Sequence, residues 1–357
     1  MTYQDNLVVD AVSHAYNFSE ENPINEGGRG FRQAAFQLSR ILQTEEYFMS
    51  EKQYLKDHEV EEIERVLFLE SDVDFTIHHS LPLTDYFEDG LLGTDKSIEL
   101  RERNPNRVAI YEAINPLSDD VLNRMEYIAN ELQADGIKIY PARYEDGEGL
   151  RVALNDTNGR EILDKAVELG IENVGVHKSV PVGPTPNDFY KIDDVDEVAG
   201  QYPELNFEIV HAGLAFLEDT IWMLAKYPNV YANLEMTSAL AISAPRQFAW
   251  VLGEMLKWTG PDHINLATGC IFTHPQPIIE AIWDFEFPED MREGYGYPPL
   301  TDEIKRKILG ENALRMLGKD PDQLREDIEG DKWEKEREER DQRPEPWSSI
   351  SPTGGTL

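Results

Sequence analysis

Three histidines in this 357-residue chain each close an apolar run. They are His14 after Val8-Val-Asp-Ala-Val-Ser, His177 after Val174-Gly-Val, and His211 after Ile209-Val. Strand side chains alternate between faces, so residues two apart share one. On that parity Asp10, Val12 and His14 form one set, and Gly136, Lys138 and Tyr140 another. The remaining sets are Gly175 with His177, Ile209 with His211, Tyr231, Asn233 and Glu235 together, and Thr268 with Cys270. Three imidazoles, one thiol, one lysine and one carboxylate are thereby expected on a single ring. Imidazole nitrogens and a thiolate make a tetrahedral zinc set, and three protein ligands leave a fourth position for water.

Each residue alone has a plainer reading. A single histidine is more often a hydrogen-bonded interior group, and Cys270 alone is a small buried hydrophobe. Lys138, inward in an apolar strand, is harder to set aside because an unpaired buried ammonium is costly. Of the adjacent pair His78 and His79, at most one is expected to face a cleft. Glu70 and Glu112 read as structural ion pairs, and His58 and His263 as surface residues. The set rises above its parts because each of the three histidines ends a strand.

Eight strands are needed to position these groups. The candidates are Leu7–His14, Arg65–Glu70, Arg107–Asn115, Gly136–Pro141, Asn173–Ser179, Asn206–His211, Asn229–Thr237 and Ile264–Ile271. Helical spacing lies between most of them, as in Ser118–Leu132, Asn158–Leu169, Arg246–Trp258 and Thr301–Leu317. An insertion of about residues 20–64 follows the first strand. Its Asn22–Gly30 stretch reads as loop, and Phe31–Leu42 and Glu51–Arg65 as helices. The expected fold is an α/β (β/α)8 barrel over residues 1–318, with its site at the carboxyl ends of the strands. An open doubly wound sheet is disfavoured because no Gly-x-Gly-x-x-Gly turn or phosphate loop occurs. Residues 319–357 are charged and poor in apolar side chains, and read as a disordered tail.

Sixty-nine acidic residues against 33 basic give a net charge of −36. Such a surface repels nucleic acid and anionic lipid. The excess is spread along the chain, which points to a halophilic, high-salt cytoplasm where screening shortens self-repulsion. No run approaches the roughly 20 apolar residues of a membrane span. One cysteine excludes an intrachain disulfide. The expectation is a cytoplasmic protein with a small-molecule substrate and neither nucleic-acid nor membrane partners.

The segments Gly136-Ile-Lys-Ile-Tyr-Pro, Val176-His177, Ile209-Val-His-Ala-Gly, Val230-Tyr-Ala-Asn-Leu-Glu and Ile308-Leu-Gly-Glu-Asn-Ala resemble the amidohydrolase-related family. That family of metal-dependent TIM-barrel enzymes includes hydrolases and aminocarboxymuconate-semialdehyde-type decarboxylases. The resemblance spans residues 5–318 and implies a metal site. The family's Asp-x-His-x-His matches Asp10 to His14 with Val12 at the first histidine. Its strand-five ligand matches His177, its strand-six histidine matches His211, and its last aspartate falls on Cys270. Valine binds no metal, and a metal-bound thiolate is a poor base. The ligand set then implied is His14, His177 and Cys270 around zinc, with manganese or iron as alternatives. His211 or Glu235 would move protons, and Lys138 would grip a substrate carboxylate. Metal-activated water attacking a small carbonyl compound is the leading expectation, ahead of non-oxidative decarboxylation. The chain is also similar to a sub-branch found beside di-iron hydrocarbon monooxygenases, through Asp10-Ala-Val-Ser-His-Ala-Tyr-Asn and Gly269-Cys270. That likeness implies that the substitutions mark a lineage; the loss of two metal-site groups sets a non-catalytic or maturation protein for a monooxygenase as the third expectation, and the family implies a homo-oligomer.

Overall fold

A computed structural model of the chain describes residues 3–145 and 147–351. Eight strands run parallel in sequence order: β1 (Val9–Ser13), β2 (Phe75–His79), β3 (Val108–Ile114), β4 (Gly136–Ile139), β5 (Asn173–His177), β6 (Asn206–Val210), β7 (Val230–Asn233) and β8 (Ile264–Asn265). The ring closes where the Ala11 amide donates to the Leu266 carbonyl at 2.9 Å and Ser13 bridges to Cys270. Asp10 pins the seam. Its carboxylate accepts from the Thr268 amide at 2.8 Å, the Thr268 hydroxyl and the Val12 amide. Burial pushes this carboxyl up to about 7 against those hydrogen bonds. The barrel expected from the sequence is the barrel observed.

Helices cover the outside, and most of their apolar faces pack with the strands in one large core cluster. Each fully buried Ile, Leu, Val or Phe of that core contributes about 1.5–3 kcal/mol. Among the described residues no helix is long and apolar enough to cross a membrane.

Four local expectations are corrected. The insertion helix α1 (Glu26–Ile41) starts within the Gly-rich stretch read as loop, because the Asn25 side chain caps it at the Gly28 amide. Gly28 itself is required there: a Cβ would lie 2.2 Å from the Tyr86 carbonyl oxygen. The stretch Glu51–Arg65 is not one helix. A capping box at Ser50 and another at Glu59 start separate helices at Glu51–Tyr54 and α2 (Val60–Phe68). Arg65–Glu70 is therefore the last turn of α2 and the two residues after it, not a strand. The second strand is β2, which carries His78 and His79 on it rather than after it.

The tail is also ordered over its described part; residues 352–357 lie outside the described residues. It forms α3 (Pro321–Ile328), capped by Asp320, and α4 (Lys332–Glu338), capped by Asp331. Two tryptophans hidden among its charges anchor it. Trp333 packs on Phe68 and donates its indole N–H to Asn104 at 2.7 Å. Trp347, 2% exposed, packs edge-on to His274 and donates to the Tyr47 carbonyl at 2.7 Å. Buried Glu70 accepts from the Trp347 amide at 2.7 Å, the Ser349 amide at 2.6 Å and the Ser348 hydroxyl at 3.1 Å. The tail thus fastens the insertion to the barrel.

Candidate active site

His14 leaves the end of β1 with its Nδ1 2.9 Å from the His79 carbonyl oxygen. A carbonyl only accepts, so Nδ1 carries a proton, and in the neutral ring Nε2 presents the lone pair. That lone pair lies 3.5 Å from Glu235 Oε1. The same logic fixes a second chain of partners. His177 Nε2 donates to the Val180 carbonyl at 2.6 Å, and its Nδ1 lies 3.2 Å from His211 Nε2, while His211 Nδ1 faces the Glu235 carbonyl at 3.4 Å. His211 Nε2 is also 3.6 Å from Glu235 Oε2. Glu235 follows β7, and its amide donates to Asn233 Oδ1 at 3.0 Å. Gly269 makes room for its carboxylate, since a Cβ there would meet Glu235 Oε1 at 2.8 Å. The structure therefore brings together His14, His177, His211 and Glu235.

The cluster's charge is set by burial and by one lysine. Burial alone would raise the Glu235 carboxyl, but His211, His14 and the Lys138 ammonium outweigh it and hold it well below the usual range. Burial pushes His211 down to about 4 despite Glu235, and pushes His177 well below its ordinary value. With His211 and His177 neutral near pH 7, Lys138 is a standing positive charge beside Glu235. Burial lowers its ammonium to about 8 against the pull of Glu235 and Glu208. Lys138 sits on β4, does not line the cavity, and has no carboxylate within 4.0 Å among the described residues.

Above the cluster opens a cavity of about 370 Å³. His14, His177, His211 and Glu235 are its polar floor; aromatic and aliphatic side chains are most of its wall. Tyr16 stacks on His14 with centroids 4.7 Å apart, and Tyr140 stacks on His177 at 4.4 Å. Both phenols are over nine-tenths buried and line the cavity, and neither hydroxyl has a partner among the described residues. Burial raises both well above the ordinary phenol value, so they remain donors. Tyr16 escaped the sequence reading although it continues the parity of Asp10, Val12 and His14.

Cys270 does not reach the floor. β8 ends at Asn265, so strand parity no longer orients residues 268–270, and the thiol lies in the apolar core. Burial, then Asp10 and Glu70, push it well above the usual thiol range, which makes it an unreactive core residue. Val12 packs in a second apolar cluster with Ala11, Phe75 and Ile77. Of the adjacent histidines, His78 bonds to Ser13 at 3.0 Å while His79 stacks on Tyr111 and edges His14. His58 is buried rather than surface: it donates to the Tyr54 carbonyl, and burial lowers it to about 3. His263 is half-buried. Glu112 pairs with Arg124 at 2.5 Å and Glu70 with His274 at 3.4 Å, both structural.

The sequence pattern of the amidohydrolase family matches residues 94–319, more than half of the chain. The chain belongs to the amidohydrolase family. A search of curated proteins finds no match. Solved structures share the fold at low identity. An uncharacterised TIM-barrel protein from Bordetella bronchiseptica is 14% identical with a TM-score of 0.60, covering 87% of this chain and 98% of its own. A 5-carboxyvanillate decarboxylase from Novosphingobium aromaticivorans, complexed with manganese and a nitrobenzoic acid, is 14% identical at 0.55, covering 88% and 97%. An amidohydrolase from Burkholderia multivorans with bound zinc is 12% identical at 0.54, covering 88% and 100%.

The family's metal does not find its donors in this chain. Both His177 nitrogens are committed to Val180 and His211, and Cys270 points into the core. Among the described residues no group of three or more His, Cys, Asp or Glu side chains is placed to hold an ion. His14 Nε2 and Glu235 remain as two free donors, one short of the three in a catalytic zinc site. The donor set does not fit a catalytic metal.

Proposed function

We propose that this chain hydrolyses a small, uncharged carbonyl compound, an ester, lactone or amide, with His14 as general base. The observation that carries this is the free His14 Nε2 beside an ionised, buried Glu235 on the floor of an apolar cavity. A water on that floor gives its proton to Nε2 as its oxygen attacks the carbonyl carbon. The imidazolium that forms faces Glu235 at 3.5 Å, where a preorganised anion stabilises it. The Tyr16 and Tyr140 hydroxyls are placed to donate to the developing oxyanion. His14 then returns the proton to the leaving group as the carbonyl re-forms. The His79 carbonyl keeps the imidazole in the required tautomer.

Non-oxidative decarboxylation is the second reading, supported by the fold shared with the decarboxylase above. It is weakened here because a substrate carboxylate would enter a cavity whose charged lining groups are Glu26 and Glu235, with neither lysine nor arginine. A panel of p-nitrophenyl esters and lactones, assayed beside carbon dioxide release from hydroxybenzoic acids, separates the two. Ester or lactone hydrolysis should fall about 10²–10⁴-fold in H14Q, the usual worth of a positioned general base. Carbon dioxide release without hydrolysis, or full hydrolysis in H14Q, would overturn the assignment.

A further inference from the structure

We infer that α1 is the specificity wall of the cavity and receives an elongated, uncharged apolar arm of the ligand; this rests on the reading of the cavity as a substrate site. Gly27, Gly30, Ala34 and Leu38 recur along one side of α1 and line the cavity, with Phe31 and Ala35 beside them. From Gly27 to Leu38 the helix rises about 16 Å, which is a channel's length and not a compact pocket's. Gly30 and Ala34 are exposed, so this side of the cavity is open to solvent, whereas a Cβ at Gly27 would press on the Tyr86 ring at 2.9 Å. A Cβ at Gly30 would meet no atom within 4 Å. Facing α1 is the turn after β5, where Val180, Pro181 and Val182 present further apolar surface.

The floor supplies the second, independent sign of a ligand. The Tyr16 and Tyr140 hydroxyls, nine-tenths buried and unpartnered among the described residues, line the same space. A carbonyl there would satisfy them while its arm runs along α1. Charge narrows the arm further. The charged groups on the lining are Glu26, exposed at the mouth, and Glu235. An anionic arm finds no cationic side chain on that lining, whereas a neutral alkyl or aryl arm gains burial.

The test is displacement of the neutral fluorophore N-phenyl-1-naphthylamine by butanamide, hexanamide, octanamide and octanoate. Burying one methylene improves binding about fourfold. Octanamide should therefore displace the probe at a concentration at least about tenfold below butanamide, and octanoate should be weaker than octanamide at neutral pH. G30L and A34L, each placing a larger helix-favouring side chain on the channel, should abolish the length dependence while butanamide still competes. Thermal melts establish that both variants fold. Displacement independent of length, octanoate matching octanamide, or an unchanged series in both variants would overturn the inference. An intact length series in a protein that hydrolyses no ester would overturn the hydrolytic reading and leave this one standing.

Discussion

Replacing Glu70 by glutamine keeps its shape and removes its charge, which isolates what holds the tail. The carboxylate accepts from two backbone amides and one hydroxyl of residues 347–349, at 2.6–3.1 Å. It also pairs with His274 at 3.4 Å. Hydrogen bonds to a charged acceptor contribute about 1.5–3 kcal/mol each. Glutamine offers one oxygen, so one of the two amides meets an NH₂ group and at least two charge-assisted bonds are weakened or lost. The expected loss in docking is about 3–5 kcal/mol, and 3 kcal/mol is about a hundredfold in the docked fraction. Hydrogen exchange reads this directly: protection of residues 344–351, and of Tyr47–Tyr54 beneath them, should fall by about that factor. Proline-free trimming between residues 339 and 343 should accelerate in parallel. Burial raises the Glu70 carboxyl, but His274 and Ser349 bring it below its usual value. Its contribution is therefore present above the unfolded carboxylate pKa and lost as pH falls through the lower folded value. The wild-type tail should loosen at acid pH, and the glutamine variant should not respond. A variant tail as protected as the wild type's would refute the role given to Glu70.

Other outcomes follow from the same structure. His58, held neutral by burial at about 3, is stabilising above 6.5, and that contribution is lost as pH falls toward 3. Urea midpoints should show about 2–3 kcal/mol lost through this residue between pH 7 and 4.5, and H58Q should flatten that part of the curve. Chelation by EDTA should leave the melting temperature unchanged; one equivalent of ion, lost together in H14A and E235Q, would contradict the donor analysis. At a net charge of −36, melting should rise steeply from millimolar to molar salt, and a salt-independent melt would remove the halophile reading.

Most of the barrel was legible because buried parallel strands are short apolar runs and a closing histidine stands out against them. Parity held at a strand's last residue or one past it, where His177, His14 and His211 lie. It failed at Cys270, where the strand had already ended at Asn265 and a coil chose the direction of the thiol. Val66-Leu-Phe-Leu suits helix or strand alike, and only the distant cap at Glu59 decides for helix. The glycines of α1 mislead for a tertiary reason, since Gly28 is selected by its approach to Tyr86 and not by local flexibility. In the tail, composition hid the two tryptophans that dock it. Tautomers were beyond the sequence altogether. They depend on the carbonyls of His79 and Val180, which no pattern of side chains announces.

The seam at Asp10 has a consequence for how the chain is made. Its partner Thr268 lies 258 residues later, so β1 waits through most of synthesis for one of its two neighbours. All five β1 residues are buried in the finished barrel. On the ribosome they form an unpaired apolar edge, the kind of surface on which chains aggregate. The floor of the cavity is equally late, because His14 and Glu235 share no neighbourhood until the ring shuts. No N-terminal fragment ending before Thr268 can assemble this site, and the interval before closure is when the nascent protein most needs a chaperone's cover.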